Sequence, residues 1–163
     1  MRMKILSLLL LTIFFACQSP PEGVPRIGFV DAFEDDTIEK ARDGFFDALA
    51  EAGYSEENGT LSVIYRNAQG DIPTLTQVIR YMISQRVDLI ATNPSLSTIT
   101  ALQNTREIPV FMMVSPTPSL MGISSKEEQA PDNLYGVAEN LDYIDTSFAL
   151  ISRLLAGQEA PLR

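Results

Sequence analysis

An α/β fold, a doubly wound parallel sheet in three α/β/α layers, is what this sequence predicts. Three observations carry the prediction. Short apolar runs alternate four times with helical patterns along the chain. The runs are nearly continuous in apolar residues, as parallel strands covered on both faces must be. Polar stretches rich in Asn, Ser, Thr and Pro follow the runs and precede the helices. Right-handed crossovers put every such loop on one rim of the sheet, where open α/β sheets hold ligands.

Arg26 to Val30 (RIGFV) is the first strand, with only Arg26 polar. Asp31 to Thr37 is an acidic loop around one aromatic, Phe33. Ile38, Ala41, Phe45, Ala48 and Leu49 then recur at helical spacing through Ala52. Asp35 or Asp36 suits the positive start of that helix, and Gly53 its end. Asn58-Gly59 marks a turn before the second strand, Leu61 to Tyr65. The loop Arg66–Asp71 leads into a helix from Ile72 to Gln85, which carries Leu75, Val78, Ile79 and Met82 and tolerates Pro73 in its first turn.

Val87 to Ala91 is the third strand, and Thr92-Asn93-Pro94-Ser95 breaks it before a helix with Ile99, Ala101 and Leu102 on its apolar face and Thr98, Gln103 and Asn104 on its polar one. Ser95 and Ser97 are good capping types. The first N–H groups of a helix lack internal partners and carry partial positive charge, so this turn either caps its own helix or holds a carboxylate. Ile108 to Val114 is the fourth strand, ending in the rigid Ser115-Pro116-Thr117-Pro118. Leu120 to Pro131 reads as irregular, Leu134 to Val137 as a short fifth strand, and Tyr143 to Leu155 as a last helix.

At 163 residues the chain suits one domain. Twelve basic against 21 acidic residues give a net charge of −9, the opposite of a nucleic-acid footprint. There is no histidine and one cysteine, Cys17, which excludes a Cys/His zinc centre, a histidine-based triad and an internal disulfide. No glycine-rich phosphate loop is present, and nothing in the sequence asks for a cofactor. A non-enzymatic chain is expected.

Residues 1–16 have the build of an export signal: Arg2 and Lys4, then an apolar stretch from Ile5 to Phe15 too short to span a bilayer. Phe14-Phe15-Ala16-Cys17 resembles a bacterial lipobox, which implies lipidation of Cys17 and a mature chain starting there. Residues 17–25, with three prolines, then form a tether.

The order of several segments resembles a known family. Ile27-Gly28-Phe29-Val30, Ala41-Arg42-Asp43-Gly44-Phe45-Phe46 and Ala52-Gly53-Tyr54 come first. Ile64 to Asp71 (IYRNAQGD) is the most specific segment, and Val87–Ala91 with its Pro-Ser turn, Ile108-Pro109-Val110 and Asn133 to Val137 follow. The chain is similar to substrate-binding proteins of ABC transporters of the tryptophan/tyrosine-uptake type. Those adopt the type I periplasmic binding fold, two α/β lobes hinged around a small ligand. The resemblance implies a first lobe over residues 26–140 and a crossover helix over 141–163, leading towards a second lobe of roughly 100 residues or more. It implies an extracytoplasmic lipoprotein that binds an aromatic or other amino acid, serves the permease and ATPase of an importer, and has no nucleic-acid partner. An extracytoplasmic sensing or interaction domain of the same fold is the alternative, and a flavodoxin-like enzyme, with the acidic loop at Asp31 as its one candidate for acid/base chemistry, is a third reading.

Under this resemblance the rim supplies the binding groups. Phe33 would stack on the ligand. Asn67 and Gln69 offer donors and acceptors or form their own turn. Asn93, Ser95 and Ser97 would take a carboxylate. Ser115 and Thr117 would add hydroxyl contacts, or Pro116 and Pro118 merely end a strand. Family members commonly carry an acidic residue in that fourth loop, and this chain does not. Asp31 and Glu34 to Asp36 would meet an amino group or remain a solvated acidic loop.

Overall fold

The computed structural model describes residues 23–124 and 129–156. The signal segment, Cys17 and the tether up to residue 22 lie outside the described residues, as do 125–128 and 157–163. Five parallel strands form one sheet in the order β2-β1-β3-β4-β5. They are β1 (Arg26–Asp31), β2 (Ser62–Asn67), β3 (Leu89–Asn93), β4 (Val110–Pro116) and β5 (Leu134–Glu139). Four helices alternate with them: α1 (Asp36–Glu51), α2 (Ile72–Ser84), α3 (Ser95–Asn104) and α4 (Asp142–Ala156). The predicted doubly wound sheet is therefore present, and its strand order reverses between β1 and β3.

Each face of the sheet has its own core. On one face Leu75, Ile79 and Met82 of α2 and Ala101 and Leu102 of α3 pack on Val30, Ile90 and Val110. Gly28 makes the approach of α2 possible, because a β-carbon there would press on the Met82 side chain. On the other face Phe45, Phe46 and Leu49 of α1 cover Ile27, Phe29 and Ala91. The Phe29 ring lies 5.6 Å from Phe45 and 5.2 Å from Phe46, tilted against both, a favourable aromatic arrangement. Asp35 caps α1 by accepting from the Thr37 N–H at 2.8 Å, and Asp71 caps α2 by accepting from Thr74 at 2.7 Å. Ala48, expected on the apolar stripe of α1, is exposed; the contact arc turns through Phe46 instead.

Two strands run further than their apolar residues suggest. β3 extends through Thr92 and Asn93, because Val30 and Asp31 of β1 offer them parallel partners. β4 extends through Ser115 and Pro116, which pair with Ala138 and Glu139 after an irregularity between Met112 and Ser115. Thr98 is not on a polar helix face. It is fully buried, and its hydroxyl meets that of Thr92 at 2.9 Å, while Thr92 also donates to the Phe111 carbonyl. α3 is wedged between the sheet and α2, so the hydroxyls of Ser97, Thr98 and Thr100 are satisfied inside the protein.

The last part of the fold is the least covered. Tyr135 and Val137 of β5 are exposed, and so are Ile144, Phe148, Ile151 and Leu155, which recur at helical spacing on α4. Among the described residues no helix is long and apolar enough to cross a membrane.

Candidate functional site

At the switch point, the carboxyl ends of β1 and β3 bring Asp31 and Asn93 side by side as register partners. Three backbone hydrogen bonds tie the neighbouring loops together. The N–H of Ala32 donates to the Asn93 carbonyl at 2.9 Å, that of Ala68 to Asp31 at 2.9 Å, and that of Gly70 to Ala32 at 2.8 Å. The rim is thus an ordered shelf.

A charged network lies beneath this shelf, on the α1 face. One carboxylate oxygen of Asp31, Oδ2, accepts from Arg42 Nη1 and from the Tyr65 hydroxyl, both at 2.9 Å. Arg42 also donates to Tyr65 Oη at 3.0 Å, with its guanidinium 5.2 Å from the ring centroid. Asp31 is 1% exposed. Burial pushes its carboxyl above the usual aspartate range, against the opposing pull of Tyr65 and Arg42. The Tyr65 phenol is raised as well, by burial first and then by its bond to Asp31. Asn93, fully buried, donates from Nδ2 to the Ile38 carbonyl at 2.8 Å and so pins the first turn of α1 to β3. Asp31 Oδ1 and Asn93 Oδ1 are buried with no hydrogen-bond partner among the described residues.

The eight residues expected to bind ligand all lie at this end of the sheet, but they are not equally free. Phe33 stands on the first loop and is 39% exposed. Asn67 uses Oδ1 to accept from the Gln69 N–H at 2.7 Å, the turn-forming alternative, and Gln69 is exposed. The expected serine cap on α3 is absent. β3 runs straight into the helix, so the N-cap position falls on Pro94, which has no side-chain acceptor. Ser95 becomes the first helical residue, half-buried, and its hydroxyl makes no hydrogen bond among the described residues. The Ser97 hydroxyl is buried and donates to the Pro94 carbonyl at 2.6 Å. Ser115 is buried and donates to the Met113 carbonyl at 3.0 Å. Thr117 shares a 3.2 Å contact with the Ser119 hydroxyl. Among the described residues the rim groups without a hydrogen bond therefore include the Phe33 ring, the Gln69 amide, the Ser95 hydroxyl and the first N–H groups of α3, while the two orphan oxygens lie buried beneath them.

Arg42 and Tyr65 escaped the sequence reading of the site, although one signal for Arg42 existed. It sits at helical spacing between Ile38 and Phe45, a single cation in an apolar stripe, and such a position needs a buried partner. The described cavities lie elsewhere. One of about 210 Å³, lined by Pro25, Ile27, Leu49, Tyr54, Leu61, Asp88 and Leu89, opens at the opposite end of the sheet. Among the described residues no cluster of three or more His, Cys, Asp or Glu is placed to hold a metal ion.

The family model described as ABC transporter substrate binding protein matches residues 26–159. The chain belongs to this family. A curated relative, the tyrosine-binding protein of Clostridioides difficile (strain R20291), is 29% identical over 129 residues, which are 79% of this chain and 37% of the relative. Among solved structures, the ABC domain from Streptococcus pneumoniae in complex with L-Trp superposes with a TM-score of 0.64 at 19% identity, covering 70% of this chain and 38% of that one. A ligand-free, open substrate-binding protein with adhesive properties from Clostridium difficile gives a TM-score of 0.64 at 25% identity, over 76% and 43% of the two chains. The chain thus spans less than half the length of these relatives, and the fold the solved structures share with it is the α/β lobe described above.

Proposed function

We propose that this chain is a ligand-binding lobe of an extracytoplasmic solute-binding lipoprotein, serving the permease and ATPase of an ABC importer without catalysis of its own. Its ligand is a small amino acid-like molecule, aromatic ones first. The observation that supports this reading is the rim at the β1/β3 switch point, whose loops carry an exposed aromatic side chain, Phe33, a serine hydroxyl without a hydrogen bond among the described residues, Ser95, and the uncapped N–H groups of α3. Those N–H groups suit a carboxylate, and Phe33 suits an apolar or aromatic side chain. Family membership supports the transport role, and the names of the tyrosine-binding and L-Trp-bound relatives support the ligand class. The signal-like segment 1–16 and Cys17 support export and lipid anchoring.

A shelf that stays wet on one side binds weakly, because each polar contact competes with water. Dissociation constants in the millimolar range, a few kcal/mol, are expected for the chain alone. The test is an NMR titration of the ¹⁵N-labelled chain, from Gly23 onwards, with a panel of amino acids. Shifts confined to Phe33, Gln69, Ser95 and Leu96 on adding L-tryptophan or L-phenylalanine are the expected result. No shift by any amino acid at tens of millimolar would overturn the binding reading.

A further inference from the structure

We propose that α4 is the contact surface of a homodimer, packing antiparallel against α4 of a second copy of this chain across a two-fold axis. The inference goes beyond ligand binding and does not depend on it. Its starting point is a helix without a partner. α1, α2 and α3 each bury an apolar side on the sheet, whereas Tyr143, Ile144, Phe148, Leu150, Ile151, Leu154 and Leu155 of α4 are between 38% and 65% exposed. At 3.6 residues per turn these side chains leave the helix within one arc of about 160°. Asp142, Asp145 and Arg153 lie outside that arc. A 15-residue helix is marginal in water on its own, and most of its stability comes from covering such a face.

Three observations select a second copy as the cover. The exposed apolar residues of α4 offer roughly 800 Å² per copy, the share each partner contributes to an interface of standard size. Ile144, Phe148, Ile151 and Leu155 follow one another at steps of four, three and four, the spacing of a helix–helix seam. That series reads the same in both directions. A two-fold axis passing between Ala149 and Leu150 therefore sets Ile144 against Leu155 of the second copy and Phe148 against Ile151, as a self-complementary interface requires. The face also carries no charge, so two copies with a net charge of −9 each meet without burying a carboxylate. A bilayer surface would instead call for a polar side rich in lysine and arginine, where α4 has two aspartates and one arginine. The sheet edges agree on which end is open. At the outer edge of β2, Glu56 accepts from the Val63 N–H at 3.0 Å and Arg66 donates to the Tyr65 carbonyl at 2.7 Å, which blunts that strand. β5, which leads into α4, has β4 as its one strand partner among the described residues, and its Tyr135 and Val137 are exposed.

The experiment is sedimentation equilibrium and disulfide cross-linking of residues 17–163 carrying Cys17→Ala, so that an introduced cysteine is the only one. At about 100 µM the measured mass should be twice that of the chain. Phe148→Glu combined with Ile151→Glu should give a monomer, with amide protection at Leu75, Ile79 and Met82 in the α2 core unchanged. A mixture of Ile144→Cys and Leu155→Cys chains should form a linked pair at least tenfold faster than either chain alone. In the antiparallel seam those two positions face each other, whereas like positions lie about 16 Å apart along the axis. A monomer at about 100 µM overturns the proposal. It does so whether α4 is then bare, covered from within its own chain, as protection of its amides would show, or taken up by phosphatidylglycerol vesicles. A dimer that survives the double glutamate variant overturns it as well, and so does cross-linking of Ile144→Cys alone at the rate of the mixture.

Discussion

Replacing Arg42 with alanine strands the carboxylate at the centre of the rim network, and its cost can be worked from the geometry. The guanidinium touches Asp31 Oδ2 at 2.9 Å and the Tyr65 hydroxyl at 3.0 Å, and covers the Tyr65 ring. Without it Asp31 keeps one donor, Tyr65, and remains almost fully buried. Breaking one side of a fully buried pair costs about 3–5 kcal/mol. The Arg42 side chain is 20% exposed, so water enters beside the carboxylate, and about 2–3 kcal/mol at pH 7 is the expected loss. For a domain of this size that lowers the melting temperature by about 10 °C. The pH dependence tests the cause. Burial raises the Asp31 carboxyl above its ordinary 3.8 in the native state, so the folded chain holds this proton more tightly than the unfolded one. Asp31's contribution to stability is therefore greatest below 3.8 and falls as pH rises through the raised native value. Loss of Arg42 lifts the native value further and widens that window upwards. Urea unfolding of both proteins should then show a small deficit below pH 3.8, growing towards neutrality. A deficit that is flat with pH, or under about 0.5 kcal/mol at pH 7, refutes the account.

Gly136→Ala should destabilise the β5 edge by about 3 kcal/mol, because the residue has a φ of +133° and a β-carbon would overlap the Met112 backbone. Loss of amide protection along β5 together with a lowered melting temperature is the check. Ile79→Ala, fully buried in the α2 core, should cost about 2–5 kcal/mol in urea unfolding with the slope unchanged. Cys17→Ala should abolish incorporation of labelled lipid and release the chain from membranes; labelling equal to the unmodified chain would sink the anchor.

The order of elements was open to reading because it rests on local chemistry. Leu75, Val78, Ile79 and Met82 mark a helix by spacing alone, and all four face the core. Asp35 and Asp71 cap helices as short acidic side chains do. The rim was less legible. Thr92, Asn93 and Ser115 look like loop residues, yet pairing with β1 and β5 draws them into strands, and their burial follows from neighbours far away in sequence. The start of α3 turned on one residue, since a strand running straight into a helix left Pro94 at the cap. The Asp31–Arg42–Tyr65 network joins residues 11 and 34 positions apart, and no pattern within one element reveals it.

β1 begins at Arg26, at the pole of the sheet opposite the rim, and climbs six residues, about 20 Å, to Asp31. Anything attached ahead of Gly23 therefore holds the molecule by its far end. Drawn out to the full, the nine residues from Cys17 to Pro25 span at most about 30 Å. If Cys17 carries a lipid, as proposed, the leash is short and holds the lobe by the end of the sheet opposite the rim. Confinement to so small a volume raises its effective concentration at a membrane partner to the millimolar range. Under the proposed importer role, docking contacts far too weak to capture a freely diffusing protein would then be enough at the membrane.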